Sequence, residues 1–240
     1  MPAERARLAV LRWLLAAWLA AWAGVAGAAE LDALLARIAQ TYGNPEPPSS
    51  IVQRGRTLSR AQGEGTLIRA YRAPDVFRVE IDYPSNPEVR ILSGTQAWQR
   101  NRPMSDSFRA ALILQAARVA LPWNLFAARD KLRDAGEHKI GETRLHFIEL
   151  PLGEGVMLIA EVDPDSGRIM RSRGILQHGG SQMVFGTVYD DFRSHDGRLH
   201  AAVEHHFAMN RYIGRSHIDA VEYGTALPDS LFRPEIPGMI

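Results

Sequence analysis

Apolar and polar positions alternate with a period of two over much of this chain, most clearly between Gly65 and Trp98. Phe77, Val79, Ile81 and Tyr83 are separated by Arg78, Glu80 and Asp82, which puts four apolar side chains on one face of a strand. Ala73-Pro74-Asp75 marks a turn before this strand and Pro84 to Pro87 ends it, while Ser93-Gly94 separates Ile91 and Leu92 from Ala97 and Trp98. The stretch predicts four strands joined by short turns, an antiparallel meander, with a weaker strand over Ile51 to Leu58 leading into it. An apolar inner face serves a packed core and an open cavity equally, and the alternation is common to both.

Helical spacing takes over in three places. Leu31, Leu34, Leu35, Ile38 and Tyr42 recur on one face, and Gly43-Asn44-Pro45 stops that pattern. After Asn101-Arg102-Pro103 breaks the meander, Ser105-Asp106 offers an N-cap to a helix in which Phe108, Leu112, Gln115, Ala116 and Val119 share a face. Leu121-Pro122-Trp123 opens a shorter helical piece running to Ala128. Beyond Lys131 the strand pattern returns in ETRLHFIEL, GVMLIAEV, RIMRSRGIL, SQMVFGTVYDDF, LHAAVEHHFAMN and RSHIDAVEY, with turns at Asp163 to Gly167, His178 to Gly180 and Ser194 to Gly197. About ten strands and three short helices predict an α+β domain: one curved antiparallel sheet, with the helices on a single face.

Composition changes this picture at the start of the chain. Arg5, Arg7 and Arg12 precede or open an apolar run, Trp13 to Ala28, that ends in Ala26-Gly27-Ala28. This is the pattern of a cleaved secretory signal peptide over residues 1–28, and the run is short for a membrane span, which needs about 20 apolar residues. The expected domain is then 29–240 and its compartment the periplasm, or the exterior in a host with one membrane. Removing three Arg and one Glu turns the formal charge of +1 into −1. A nearly neutral chain without a basic run offers no footprint for nucleic acid. With no cysteine, there is neither a disulfide framework, nor a thiolate metal site, nor a lipid-modified N-terminus.

Candidate chemistry is sparse. Five of the eight histidines, His195, His200, His205, His206 and His217, lie near the C-terminus. His200, Glu204 and His206 share one strand face and His205 joins Val203 and Phe207 on the other. No H-E-x-x-H occurs, and the spacing from His200 to Glu204-His205 is one residue too long for the inverted zinc-protease signature, so these are expected to be solvated strand histidines. Ser93, Ser166 and Ser181 beside glycines read as turn residues, and the acid pairs Glu161/Asp163 and Asp190/Asp191 as turn or solvent-facing charges. Neither a phosphate-binding loop nor a dinucleotide fingerprint is present. No enzyme activity, metal or cofactor is expected.

The order of parts, together with Gly65-x-Leu67, Arg72-Ala73-Pro74-Asp75-Val76-Phe77, Leu92-Ser93-Gly94 followed by Trp98, Asp163 to Gly167, YDDF…DGRL and Ala226-Leu227-Pro228…Leu231-Phe232, resembles the lipoprotein-carrier (LolA-type) and outer-membrane lipoprotein-sorting family. The resemblance implies an incomplete β-barrel lidded by helices and a monomeric periplasmic carrier or chaperone. It would hold the acyl chains of a lipoprotein or a free lipid and exchange them with a membrane-bound donor or acceptor. On that reading Leu67, Phe77, Val79, Ile81, Trp98 and Phe185 line the apolar interior, the helix from Phe108 to Val119 plugs it, and Arg72 pins the closed lid through helix carbonyls. The rivals are a non-catalytic envelope sensor or binding module of the same fold and a metal-dependent hydrolase built on the C-terminal histidines.

Overall fold

The computed structural model describes residues 29–43, 45–178 and 180–234. The expected signal peptide, residues 1–28, lies outside the described residues, as do the last six positions of the expected domain. Helix α1 (29–42) leads into a first meander, β1 (Ser50–Ser59), β2 (Gly63–Arg72), β3 (Val76–Asp82), β4 (Glu88–Ser93), β5 (Gln96–Gln99) and the two-residue β6 (Arg102–Pro103). Helices α2 (Asp106–Val119) and α3 (Trp123–Ala127) follow, then a second meander of β7 (Arg133–Ile140), β8 (Thr143–Gly153), β9 (Val156–Val162), β10 (Ile169–His178), β11 (Ser181–His195), β12 (Arg198–Ala208) and β13 (Arg211–Tyr223).

All thirteen strands form a single antiparallel sheet in the order β6-β5-β4-β3-β2-β1-β13-β12-β11-β10-β9-β8-β7. Pairing of β1 with β13 joins the two meanders, from Ile51 opposite Tyr223 to Ser59 opposite Gly214. The sheet stays open between β6 and β7, and this incomplete barrel with three helices is the α+β architecture expected from the sequence. The count of strands is larger than expected because β6 is very short and β7 is a polar edge strand. With most of its residues exposed or half-buried, β7 has no buried face to write an alternation into the sequence.

Helix α2 lies across the inner face against β3–β5 on one side and β9–β10 on the other. Leu112, Ala116 and Val119 pack with Ile51, Leu67, Phe77, Val79, Leu92 and Ile218, while Ala110, Leu114 and Ala117 pack with Ile148, Leu158, Ala160 and Val162. Phe108, expected on the buried face, is instead exposed on the first turn, because the helix enters the sheet only from Ala110 onward. Gly174 on β10 lets the helix approach: a Cβ there would stand 2.0 Å from Leu114 Cδ2. Gly174→Val is therefore expected to cost about 1–3 kcal/mol, the usual range for overpacking, read as a lowered urea midpoint at unchanged slope.

One end of the half-barrel is closed and the other is not. At the closed end α1 buries Leu34, Leu35, Ile38 and Tyr42. It is tied to the β9–β10 turn by Arg37 donating to the Pro164 carbonyl and by the Ile169 N–H donating to the Tyr42 hydroxyl at 3.1 Å. Trp123 of α3 stacks edge-on against Tyr223 at the same end. At the opposite end the β1–β2, β3–β4, β10–β11 and β12–β13 turns come together, as the registers of Ser59 with Gly214 and of Phe185 with Ala208 require. Behind the first meander the C-terminal segment crosses the outer face, where Phe232 is buried with Ala70, Ile91 and Trp98.

Candidate functional site

A cavity of about 350 Å³ lies between the sheet and α2 and opens toward the free end of the half-barrel. Its walls are apolar: Leu67 from β2, Val79 and Ile81 from β3, Val119 from α2, Phe185 from β11 and Phe207 from β12. Leu58, Tyr83 and Ile213 stand at its mouth.

Its floor is polar. On β2, Arg69 occupies the inward register between Leu67 and Tyr71 and donates from Nη1 to Glu204 Oε2 at 2.7 Å and to Gln53 Oε1 at 3.2 Å. A chain of hydroxyls fixes His206 beside this pair. Ser216 donates to Thr57 Oγ1 at 3.2 Å, so His206 Nε2, 2.9 Å from Ser216 Oγ, must be the donor, leaving Nδ1 to accept from Thr187 at 3.5 Å. From α2, Arg118 reaches down to donate from Nε to Ser172 Oγ at 3.1 Å and from Nη2 to the Phe185 carbonyl at 2.7 Å. Ser172 in turn shares a hydrogen with the Tyr189 hydroxyl at 2.9 Å.

Burial sets the protonation of these groups. It raises Glu204, but Arg69, His206 and Arg118 outweigh it and hold the carboxyl below its ordinary value. Burial pulls His206 down to about 4, Arg69, Arg118 and His205 pull in the same direction, and Glu204 only partly opposes them. The floor at neutral pH thus holds two guanidiniums, one carboxylate and a neutral imidazole. A histidine whose folded pKa lies below the unfolded one binds fewer protons than the unfolded chain, so stability falls as pH drops from about 6.5 toward about 4. His206→Gln is expected to flatten that window at up to about 1.4 kcal/mol per pH unit, measured as unfolding free energy against pH. An unchanged slope would mean that His206 is not the titrating group.

No protein-family model and no curated protein matches the sequence. Solved structures do match the fold. A LolA superfamily protein from Nitrosomonas europaea superposes with a TM-score of 0.55 at 12% identity, covering 84% of this chain and 96% of that one. The chain has the LolA-type fold. An outer membrane lipoprotein-sorting protein domain from Vibrio parahaemolyticus gives 0.53 at 9% identity, over 83% of this chain and 94% of that one. A DUF1329 family protein from Desulfovibrio piger gives 0.50 at 10%, over 87% and 96%.

Within this LolA-type fold, Leu67, Val79, Ile81 and Phe185 come together on the cavity wall. Phe77 shares their face but is fully buried in the core beneath α2. Trp98 faces the other way: it pairs with Ile91 on β4 and packs on the outer face with Ala70 and Phe232, because it directly follows Ala97, the inward residue of β5, and neighbours in a strand point to opposite faces. Arg72 also points outward. It donates to the Leu227 carbonyl at 3.1 Å and to Asp229 at 2.7 Å and lies over the Phe232 ring, so it pins the C-terminal segment and no lid helix. An arginine that does tie a helix to the strands is Arg118 of α2, through Ser172 and the Phe185 carbonyl.

The histidines divide as their strand faces require, with Glu204 and His206 turned inward and His205 against Tyr212 outside. His206, expected to be solvated, is instead held in the floor. Among the described residues, the C-terminal histidines form no group with metal-ligand geometry. Elsewhere Glu30, Glu137 and His146 come within 4.8 Å of one another, but the two glutamates are exposed and His146 Nε2 is hydrogen-bonded to Asp134 at 2.6 Å. Glu161, expected at a turn or in solvent, is fully buried on the outer face between Arg171 and Arg173.

Proposed function

We propose that this chain is a periplasmic carrier that shields the lipid part of a lipoprotein, or a free lipid, in its half-barrel cavity, and that it acts as a monomer by binding alone, without covalent chemistry. The observation that carries the reading is the 350 Å³ cavity walled by Leu67, Val79, Ile81 and Phe185. An acyl chain in water costs about 0.8 kcal/mol per methylene, and an enclosed apolar wall removes that cost. The relatives by fold include a protein described as a lipoprotein-sorting domain, which supports the same reading.

The open end suits exchange with a membrane or a membrane-bound donor or acceptor. Leu58, Phe108, Met183, Met209 and Ile213 are the large apolar side chains exposed there. Patches of this kind on a soluble protein mark interaction surfaces. The first test is uptake of a fluorescent fatty acid by the purified chain. Saturable uptake of one molecule per chain is the expected result, and no uptake at micromolar concentration would overturn the carrier reading.

A further inference from the structure

Arg118 is a guanidinium in the interior without a carboxylate of its own. The only carboxylate of the floor, Glu204, is bonded to Arg69. Arg118 makes no ion pair among the described residues, and its two bonds go to a serine hydroxyl and a backbone carbonyl. Its Nη1 bonds no protein group, is not sealed off, and belongs to a side chain that lines the cavity. The floor therefore carries one net positive charge, two guanidiniums against one carboxylate, and the Nη1–H donors of Arg118 remain for a ligand. That is the donor set a carboxylate or phosphate oxygen accepts most strongly. The position near the C-terminus of α2 does not account for it, since an arginine left at the surface would complement the helix dipole equally well.

We infer that the cavity takes a single-chain amphiphile with an anionic head group, carboxylate or phosphate, its head seated on Arg118 at the floor and its chain running along Leu67, Val79 and Ile81 to the mouth. The inference deepens the carrier reading and rests on it. The volume stands at the lower end of the range of about 300–1,000 Å³ found for ligand sites, which suits one chain and so, of the two cargoes of the carrier reading, favours the free lipid. Orientation follows from where charge is left unpaired: Arg90, toward the mouth, is paired with Glu88, whereas Arg118 at the floor has no carboxylate of its own, and the reverse placement would set an apolar tail against Arg69, Glu204 and Arg118.

The test is competition of dodecanoate, dodecyl phosphate and 1-dodecanol against a fluorescent fatty acid, with wild type, Arg118→Met and Arg118→Lys, and with acetate and inorganic phosphate as head groups without a chain. Dodecanoate or dodecyl phosphate should bind at least tenfold more tightly than dodecanol. Arg118→Met should erase that preference by weakening dodecanoate and dodecyl phosphate at least tenfold more than dodecanol, and Arg118→Lys should restore part of it. Equal affinity for acid and alcohol in wild type would overturn the inference and leave the carrier reading standing. Acetate or phosphate competing as strongly as the twelve-carbon ligands would also overturn it, as a site for a free anion. No binding of any chain would overturn both. Should Arg118→Met fail to fold, the acid-against-alcohol ratio in wild type and Arg118→Lys decides alone.

Discussion

Glu204→Gln should destabilise the fold by about 3–5 kcal/mol, the usual result of removing one partner of a buried ion pair. Its partner is the Arg69 guanidinium at 2.7 Å, and both side chains are almost enclosed, at 14% and 11% exposure, so solvent screens the pair weakly. The substitution keeps the shape and removes the charge, which leaves Arg69 and Arg118 facing one cavity without a carboxylate. Urea unfolding measures the loss. Replacing both partners, as in Arg69→Met with Glu204→Gln, should recover most of it, since the isolated charge and not the lost attraction is the expensive part. A loss under about 1 kcal/mol for Glu204→Gln would mean that the floor is wet enough to behave like a protein surface.

Ile81→Trp should reduce affinity for an acyl ligand on the order of 100-fold. Ile81 sits opposite Leu67 in the β2–β3 ladder, half-buried, with its free side on the cavity. An indole there displaces about four methylenes of a bound chain, at about 0.8 kcal/mol each, or about 3 kcal/mol in all. Because the ring enters open space, the cost in stability should stay under about 1 kcal/mol. Trp98→Leu is the matched control. It lies on the outer face with Ala70 and Phe232, so it should lower stability and leave affinity unchanged. A fatty acid that binds Ile81→Trp as well as wild type would place the ligand somewhere other than this cavity.

The strands and helices that build the cavity were legible where their inward side chains recur at strand or helix spacing. Phe77, Val79 and Ile81 declare the inner face of β3 by alternation alone, and Leu112, Ala116 and Val119 declare one buried face of α2. β7 was not legible, being a polar edge without a buried side. Trp98 and Arg72 were misplaced for a shared reason. The outer face of the first meander is itself covered, by the segment ending in Phe232, and a strand buried on both faces no longer tells inside from outside by hydrophobicity. The polar floor was missed because Arg69, Arg118 and Glu204 look like the charges of a solvated face. The signal was present in register: Arg69 falls between Leu67 and Tyr71, and Glu204 between Ala202 and His206, on positions otherwise turned inward.

The central question is whether the cavity holds an acyl chain. Native mass spectrometry of the chain purified without detergent from a periplasmic fraction, with lipid extraction of the same sample, asks this directly. The expected result is a bound species of a few hundred daltons that is lost on denaturation and recovered in the extract as a single-chain lipid. A bare protein that also fails to take up added fatty acid would contradict the account, and would make the half-barrel a partner-binding module with an idle cavity.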